Sequence, residues 1–368
     1  MTKKLVSKIA LALAIVLVAT LATFGIVALC SYNGASKNLG EEVLLPTVDF
    51  VQPWMVEWYT ENDYQLYFEN LAKAGYDTVI FQYSVTGNVN SPNLYFPKTS
   101  EIASQFPNAT DTSNHVLPTF LQQAEKHGFD VFVGLSSLDD WWTTSNYLNA
   151  DYTTTLCNLD CLVVDYLQQH HGQNKAFVGY YWASETFSNP FGWQKGWIGI
   201  VNGIIDHLNA TDSQRPLMLS PFRHKFLPAT TARLEQFWTD FVEQVNFRKG
   251  DIFAPQDSLG KINNGKADSF TIGQTARFVQ AVKSAVDKKD GVELWLNCEL
   301  FASKNLLDGN LYTADLERMD RQFAIAKAYA TRTVTFSFSH YCLPQGTNGE
   351  PQALQQFYQD YLNYISTK

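Results

Sequence analysis

Two short stretches carry the residues best suited to chemistry. One is Phe177-Val178-Gly179-Tyr180-Tyr181-Trp182-Ala183-Ser184-Glu185. The other is Val292-Glu293-Leu294-Trp295-Leu296-Asn297-Cys298-Glu299-Leu300-Phe301. Both are β-branched and aromatic, and both run into a glutamate set among rings, as buried strands do. At the C-terminal end of a parallel-barrel strand, such a glutamate stands on the working face. Two carboxylates at two such ends fit acid/base or nucleophilic work on a polar substrate. Two strand-end glutamates in ordinary ion pairs would give the same pattern.

The surrounding chain alternates strand and helix. Strands are expected at 50–58, 76–83, 130–135, 177–185, 216–220, 251–255, 292–301 and 333–338. Between them apolar residues recur at helical spacing, as in Tyr64, Tyr67, Phe68 and Leu71, or Leu316, Met319 and Phe323. Gly75 and Gly128 stop helices. Alternating units imply a parallel sheet with right-handed crossovers, and eight of them imply one (β/α)8 TIM barrel over 48–368. The long loops, 84–113, 136–150, 256–269, 300–312 and 339–350, all come after strands, which puts the working face at the strand C-termini.

Those strand ends offer acids, amides and flat rings: Trp54, Glu57 and Trp58; Gln82 and Tyr83; Asp139, Asp140 and Trp142; Trp182 and Glu185; Gln256 and Asp257; Asn297 and Glu299; His340 and Tyr341. Lys and Arg are nearly absent from them, although a phosphate or carboxylate substrate would call for cations. A neutral polyol is the better match. Glu185 and Glu299 are the expected catalytic pair. Trp142, Trp182, Gln256, Asp257, Asn297, Tyr341, Glu57, Gln82 and Asp140 are the expected substrate contacts. Plainer roles compete: Trp54, Trp58 and Trp295 as core, Asp140 as a turn cap, Asp257 as a turn residue, and His340 as a buried structural histidine.

Charge and cysteine usage narrow the class further. The net charge is −9 with 14% aromatic residues, and no basic cluster occurs beyond the N-terminus, which argues against nucleic acid. The histidines are scattered and no Cys-x-x-Cys occurs, so no metal and no cofactor are expected. Cys298 and Cys342 fall near the ends of the last two strands, where they would come within reach of each other. Lys3, Lys4 and Lys8 precede an apolar run over 9–30, long enough to span a bilayer, which predicts export of the chain beyond Ser31. Residues 1–31 read as signal peptide or membrane anchor and 32–47 as a linker. Both secretion and an uncleaved anchor remain open, and either is extracytoplasmic.

The chain resembles the glycoside hydrolase-type barrel family known as domain of unknown function 4434. The resemblance covers most of 50–345. It rests on Val133-Gly134-Leu135 with Trp141-Trp142, Gly179-Tyr180-Tyr181 through Glu185, Ser220-Pro221-Phe222, Asp251 through Asp257 with Gly260, Leu294 through Phe301, and Phe336-Ser337-Phe338 with Tyr341. It implies a barrel acting on glycans, without a settled substrate. Many retaining glycosidases with this barrel are similar in carrying an acid/base glutamate after strand four and a nucleophile after strand seven, the places of Glu185 and Glu299. They carry Asn where this chain has Ser184. The expectation is an extracytoplasmic glycoside hydrolase of retaining type acting on a carbohydrate. Its rival is a non-catalytic glycan-binding barrel of the cell envelope.

Overall fold

The computed structural model describes residues 31–189, 192–223, 230–261, 268–303, 310–347 and 349–368. The apolar run 9–30 lies outside them. Eight parallel strands close a barrel: β1 Val48–Val51, β2 Thr78–Phe81, β5 Asp130–Gly134, β6 Phe177–Trp182, β7 Leu217–Leu219, β8 Ile252–Phe253, β9 Glu293–Glu299 and β12 Arg332–Phe336. Two antiparallel pairs sit in the loops after β2 and β9. They are β3 Val85–Asn88 with β4 Ser91–Leu94, and β10 Phe301–Ser303 with β11 Leu311–Thr313. Long helices lie between the barrel strands, among them Glu61–Lys73, Ala150–His171, Ser269–Val286 and Leu316–Tyr329.

The pleat sorts the strand side chains into two layers. Phe50, Ile80, Phe132, Tyr181, Met218 and Trp295 pack with one another inside the barrel. Their neighbours Val51, Val79, Val133, Tyr180, Trp182 and Leu296 pack outward under the helices. Burying each such side chain is worth about 1.5–3 kcal/mol, so a one-residue slip of any strand would exchange the layers and is strongly disfavoured. Helix ends obey their signals. Thr60 closes a capping box with Asp63, and Gly128 ends Val116–His127 at φ +74, in the left-handed region that glycine tolerates.

Several expected boundaries move. The first strand stops at Val51, because Pro53 fixes the φ of a helical turn over Pro53–Val56. Trp54, Glu57 and Trp58 therefore leave the barrel on a turn. The eighth strand gives way at Ser337, whose hydroxyl caps a turn over Phe338–Tyr341. The expected linker is packed chain. The Tyr32 ring stands edge-on to Phe270 at 5.3 Å, Arg321 donates to the Ser36 carbonyl at 2.7 Å, and the Leu44 amide donates to the Phe323 carbonyl at 3.1 Å. The Cys298–Cys342 pairing does not form. Both are buried free thiols, and Cys342 comes after the Phe338–Tyr341 turn instead of ending a strand. Among the described residues no helix is long and apolar enough to cross a membrane, and no cluster of three or more His, Cys, Asp or Glu is placed to hold a metal.

Candidate active site

Glu185 and Glu299 both reach the mouth, held in different ways. β6 ends at Trp182, and Ala183 and Ser184 carry the chain on to Glu185. One carboxylate oxygen accepts from the Gln256 side chain at 2.7 Å. The same amide donates to the Ser220 carbonyl at 3.1 Å. The indole of Trp141 donates to the Glu185 carbonyl at 2.9 Å. Burial lifts the Glu185 carboxyl to about 7. The Gln256 donor opposes that rise and the nearby charge of Glu299 adds to it.

Glu299 is the last residue of β9 and is gripped from behind. Its Oε2 accepts the Gly260 amide at 2.5 Å. Its carbonyl accepts from Arg318 at 2.6 Å and from Gln322 at 3.0 Å. Its own amide donates to Asp257 at 3.3 Å, and Gln322 also donates to Asp257, at 2.5 Å. A Cβ on Gly260 would collide with the Phe301 ring and stand 2.7 Å from the Glu299 Oε2. Only glycine lets this amide approach so closely.

The strand ends at the mouth also bring amides and rings. Asn297 lies two residues beyond Trp295, and Gln82 two beyond Ile80, so both continue the inward-facing rows to the top of the lumen. Asn297 donates to Ser220 Oγ at 3.0 Å, while its Oδ1 and the Gln82 Oε1 are buried with no partner among the described residues. Such acceptors are costly unless a donor reaches them, and a sugar hydroxyl is one. Trp142 is 53% exposed on the loop after β5, 6.3 Å from Phe222, open for stacking. Tyr341 packs on Phe301 at 5.7 Å, with its phenol pushed up to about 12 by burial and then by the Glu299 charge.

Four expected substrate contacts are otherwise employed. Trp182 faces the helix layer, buried against Trp141 at 5.8 Å, because its position in β6 is an outward one. Asp257 is fully buried, and its oxygens accept from Gln322, Leu259 and Glu299. Burial, then the Glu299 charge, raises its carboxyl. Asp140 pins the β3–β4 hairpin by accepting from the Val89 amide at 3.0 Å, and it takes the Tyr152 hydroxyl at 2.9 Å. Glu57 accepts from Ser113 at 2.5 Å. His340 is structural: Gln52 donates its amide to Nε2 at 3.3 Å, Nδ1 faces Thr347 at 3.0 Å, and burial drops its pKa to about 4.

Arg318, Gln322 and the Gly260 amide were not singled out as site residues by sequence reasoning. Arg318 and Gln322 lie four apart on the buried side of Leu316–Tyr329, next to Met319 and Phe323. Polar residues on an apolar stripe are the signal that marks them.

Residues 49–348 match the family described as Domain of unknown function (DUF4434). The chain belongs to this family. No curated protein matches it. Among solved structures it is similar to a candidate alpha-L-fucosidase from Bacteroides thetaiotaomicron VPI-5482, at 20% identity and TM-score 0.68, over 87% of this chain and 94% of that one. It is also similar to endo-glycoceramidase II from Rhodococcus sp., at 11% identity and TM-score 0.52, over 86% and 78%. A beta-galactosidase from the psychrophilic Marinomonas ef1 matches at 9% identity and TM-score 0.50, over 85% of this chain and 58% of the longer galactosidase. What these likenesses share with the chain is the fold, an eight-stranded parallel barrel.

Proposed function

We propose that this DUF4434 barrel is an extracytoplasmic glycoside hydrolase of retaining type, with Glu185 as general acid and Glu299 as nucleophile. The observation that carries the reading is the unlike holding of two carboxyls at one mouth. A carboxyl raised to about 7 keeps a proton to give near neutral pH. A carboxylate that accepts a backbone amide and is anchored through its own main chain is held on a fixed line of attack. A retaining reaction wants the two groups about 5–5.5 Å apart, so that one bonds the anomeric carbon while the other protonates the leaving oxygen. In a second step Glu185 takes a proton from water, whose oxygen bonds the anomeric carbon as the sugar's bond to Glu299 breaks, so the sugar leaves and both carboxyls return to their starting states.

The rest of the mouth supports a carbohydrate. Gln256, Asn297 and Gln82 supply amides and Trp142 a ring face. Ser184 turns its hydroxyl to the Ser136 carbonyl at 3.4 Å, so the hold on a sugar hydroxyl falls to those amides. Export rests on Lys3, Lys4 and Lys8 ahead of the apolar run 9–30, which as an uncleaved segment tethers the barrel to a membrane.

A polysaccharide panel assayed for new reducing ends tests the reading. Wild type should cleave at least one glycan, and Glu185→Gln and Glu299→Gln should each lose about 10²-fold or more. Binding without any cleavage would favour a glycan-binding barrel.

A further inference from the structure

The described residues expose six large apolar side chains, and five of them sit in loops at the C-terminal ends of barrel strands. These are Trp54 at 43%, Trp58 at 80%, Trp142 at 53%, Leu148 at 67% and Tyr312 at 38% exposure. Only Leu66 lies elsewhere, on Glu61–Lys73. Single exposed apolar residues scattered over a surface need no explanation, but a set gathered on one rim does.

The start of the described chain lies at the same end. Tyr32 meets Phe270 in the first turn of Ser269–Val286, the turn nearest the mouth, since this helix leads from β8 back to the base. The Tyr32 carbonyl occupies the place a Cβ on Gly273 would take, so a glycine is needed there. From Tyr32 the chain runs down the outside of the barrel. Ser36 meets Arg321, Leu44 meets Phe323, and Thr47 reaches Thr333 at the base. In sequence the apolar run 9–30 joins Ser31 directly, with no spacer.

We propose that the barrel mouth faces a lipid bilayer, with Trp58 and Leu148 of its rim in the interfacial layer and residues 9–30, joined to the chain at the mouth end, as the tether. Trp and Tyr rings favour the headgroup level, and Leu favours the acyl boundary below it. The tether alone would leave a long-linked barrel free to turn. The packed segment from Tyr32 to Leu44 fixes which end is held close. This inference rests on the tether reading above and not on the hydrolase chemistry.

Full-length protein reconstituted in phospholipid vesicles with brominated acyl chains tests it. The readouts are flotation with the vesicles and quenching of tryptophan emission. Trp58→Phe isolates the contribution of Trp58, and Asp290→Trp places a reporter on the exposed base loop before β9. The expected result is flotation, loss of most of the Trp58 emission, and no loss of the Asp290→Trp emission. Equal quenching of both reporters, or quenching of the base alone, would overturn the orientation while leaving the tether in place. Failure to float would remove the tether and this proposal together, and would leave the reducing-end assay untouched.

Discussion

The corner around Glu185 and the corner around Glu299 hold the same kind of group by opposite means. Glu185 has one side-chain donor, Gln256, and its carboxyl is governed by burial. Glu299 is fixed through its backbone by Arg318, Gln322 and Asp257, and at its tip by Gly260. A group that trades protons profits from a shifted pKa and some freedom to track the leaving oxygen and then water. A group that forms a bond profits from being immobile. The contrast supports the proposed roles, which two glutamates in a sequence do not declare by themselves.

Removing the rigid corner should do the most harm. Gly260→Ala puts a methyl against Phe301 and beside the Glu299 carboxylate. It should lower kcat about 10²-fold or more by swinging the nucleophile off line, with a stability loss of about 1–3 kcal/mol from overpacking. Steady-state kinetics and thermal melts would check both. Unchanged kcat would show that the Gly260 contact is incidental.

Asp257→Asn acts on the same corner from within. An amide in that place meets the Gln322 donor on one side and the Leu259 and Glu299 amides on the other, so either orientation leaves donors facing donors. The expected loss is about 1–3 kcal/mol for unsatisfied buried groups, read as a lowered denaturant midpoint. A melt equal to wild type would contradict the network.

The Glu185 corner should respond more gently. The Gln256 bond lowers the Glu185 pKa, so Gln256→Ala should raise it. Glu185 must be protonated to act, so wild-type kcat/KM should fall as pH rises through about 7, and in Gln256→Ala that fall should move to higher pH. A fall that moved to lower pH would mean that Glu185 is not the acid.

Much of the barrel was legible because its signals are local. Runs of β-branched and aromatic residues, helical spacing, and Gly75 and Gly128 at helix ends each report on a few neighbouring residues. The boundaries near the mouth were less so. Residues 53–58 read as more strand, since Trp54, Met55 and Val56 are apolar, but Pro53 starts a helical turn. Trp182 reads as a substrate contact because it ends the apolar run just before Glu185. Which way it points depends on barrel register, a property of the closed sheet and not of the strand. Asp257 was legible as important but not as buried. Its partner Gln322 is 65 residues away, and no spacing rule reaches that far. The pairing of Glu299 with the Gly260 amide is equally non-local.

The most direct test compares leaving groups. An aryl glycoside with a strongly acidic phenol departs as the phenolate and needs no proton from the enzyme, whereas an alkyl or sugar leaving group does. With the sugar identified from the reducing-end panel, both kinds of substrate would be offered to Glu185→Gln and Glu299→Gln, and release of the aglycone would be measured. The account predicts that Glu185→Gln regains most of its first-step rate on the activated glycoside while Glu299→Gln stays about 10²-fold or more below wild type on both. Rescue of Glu299→Gln instead, or equal rates for the two variants on both substrates, would contradict it.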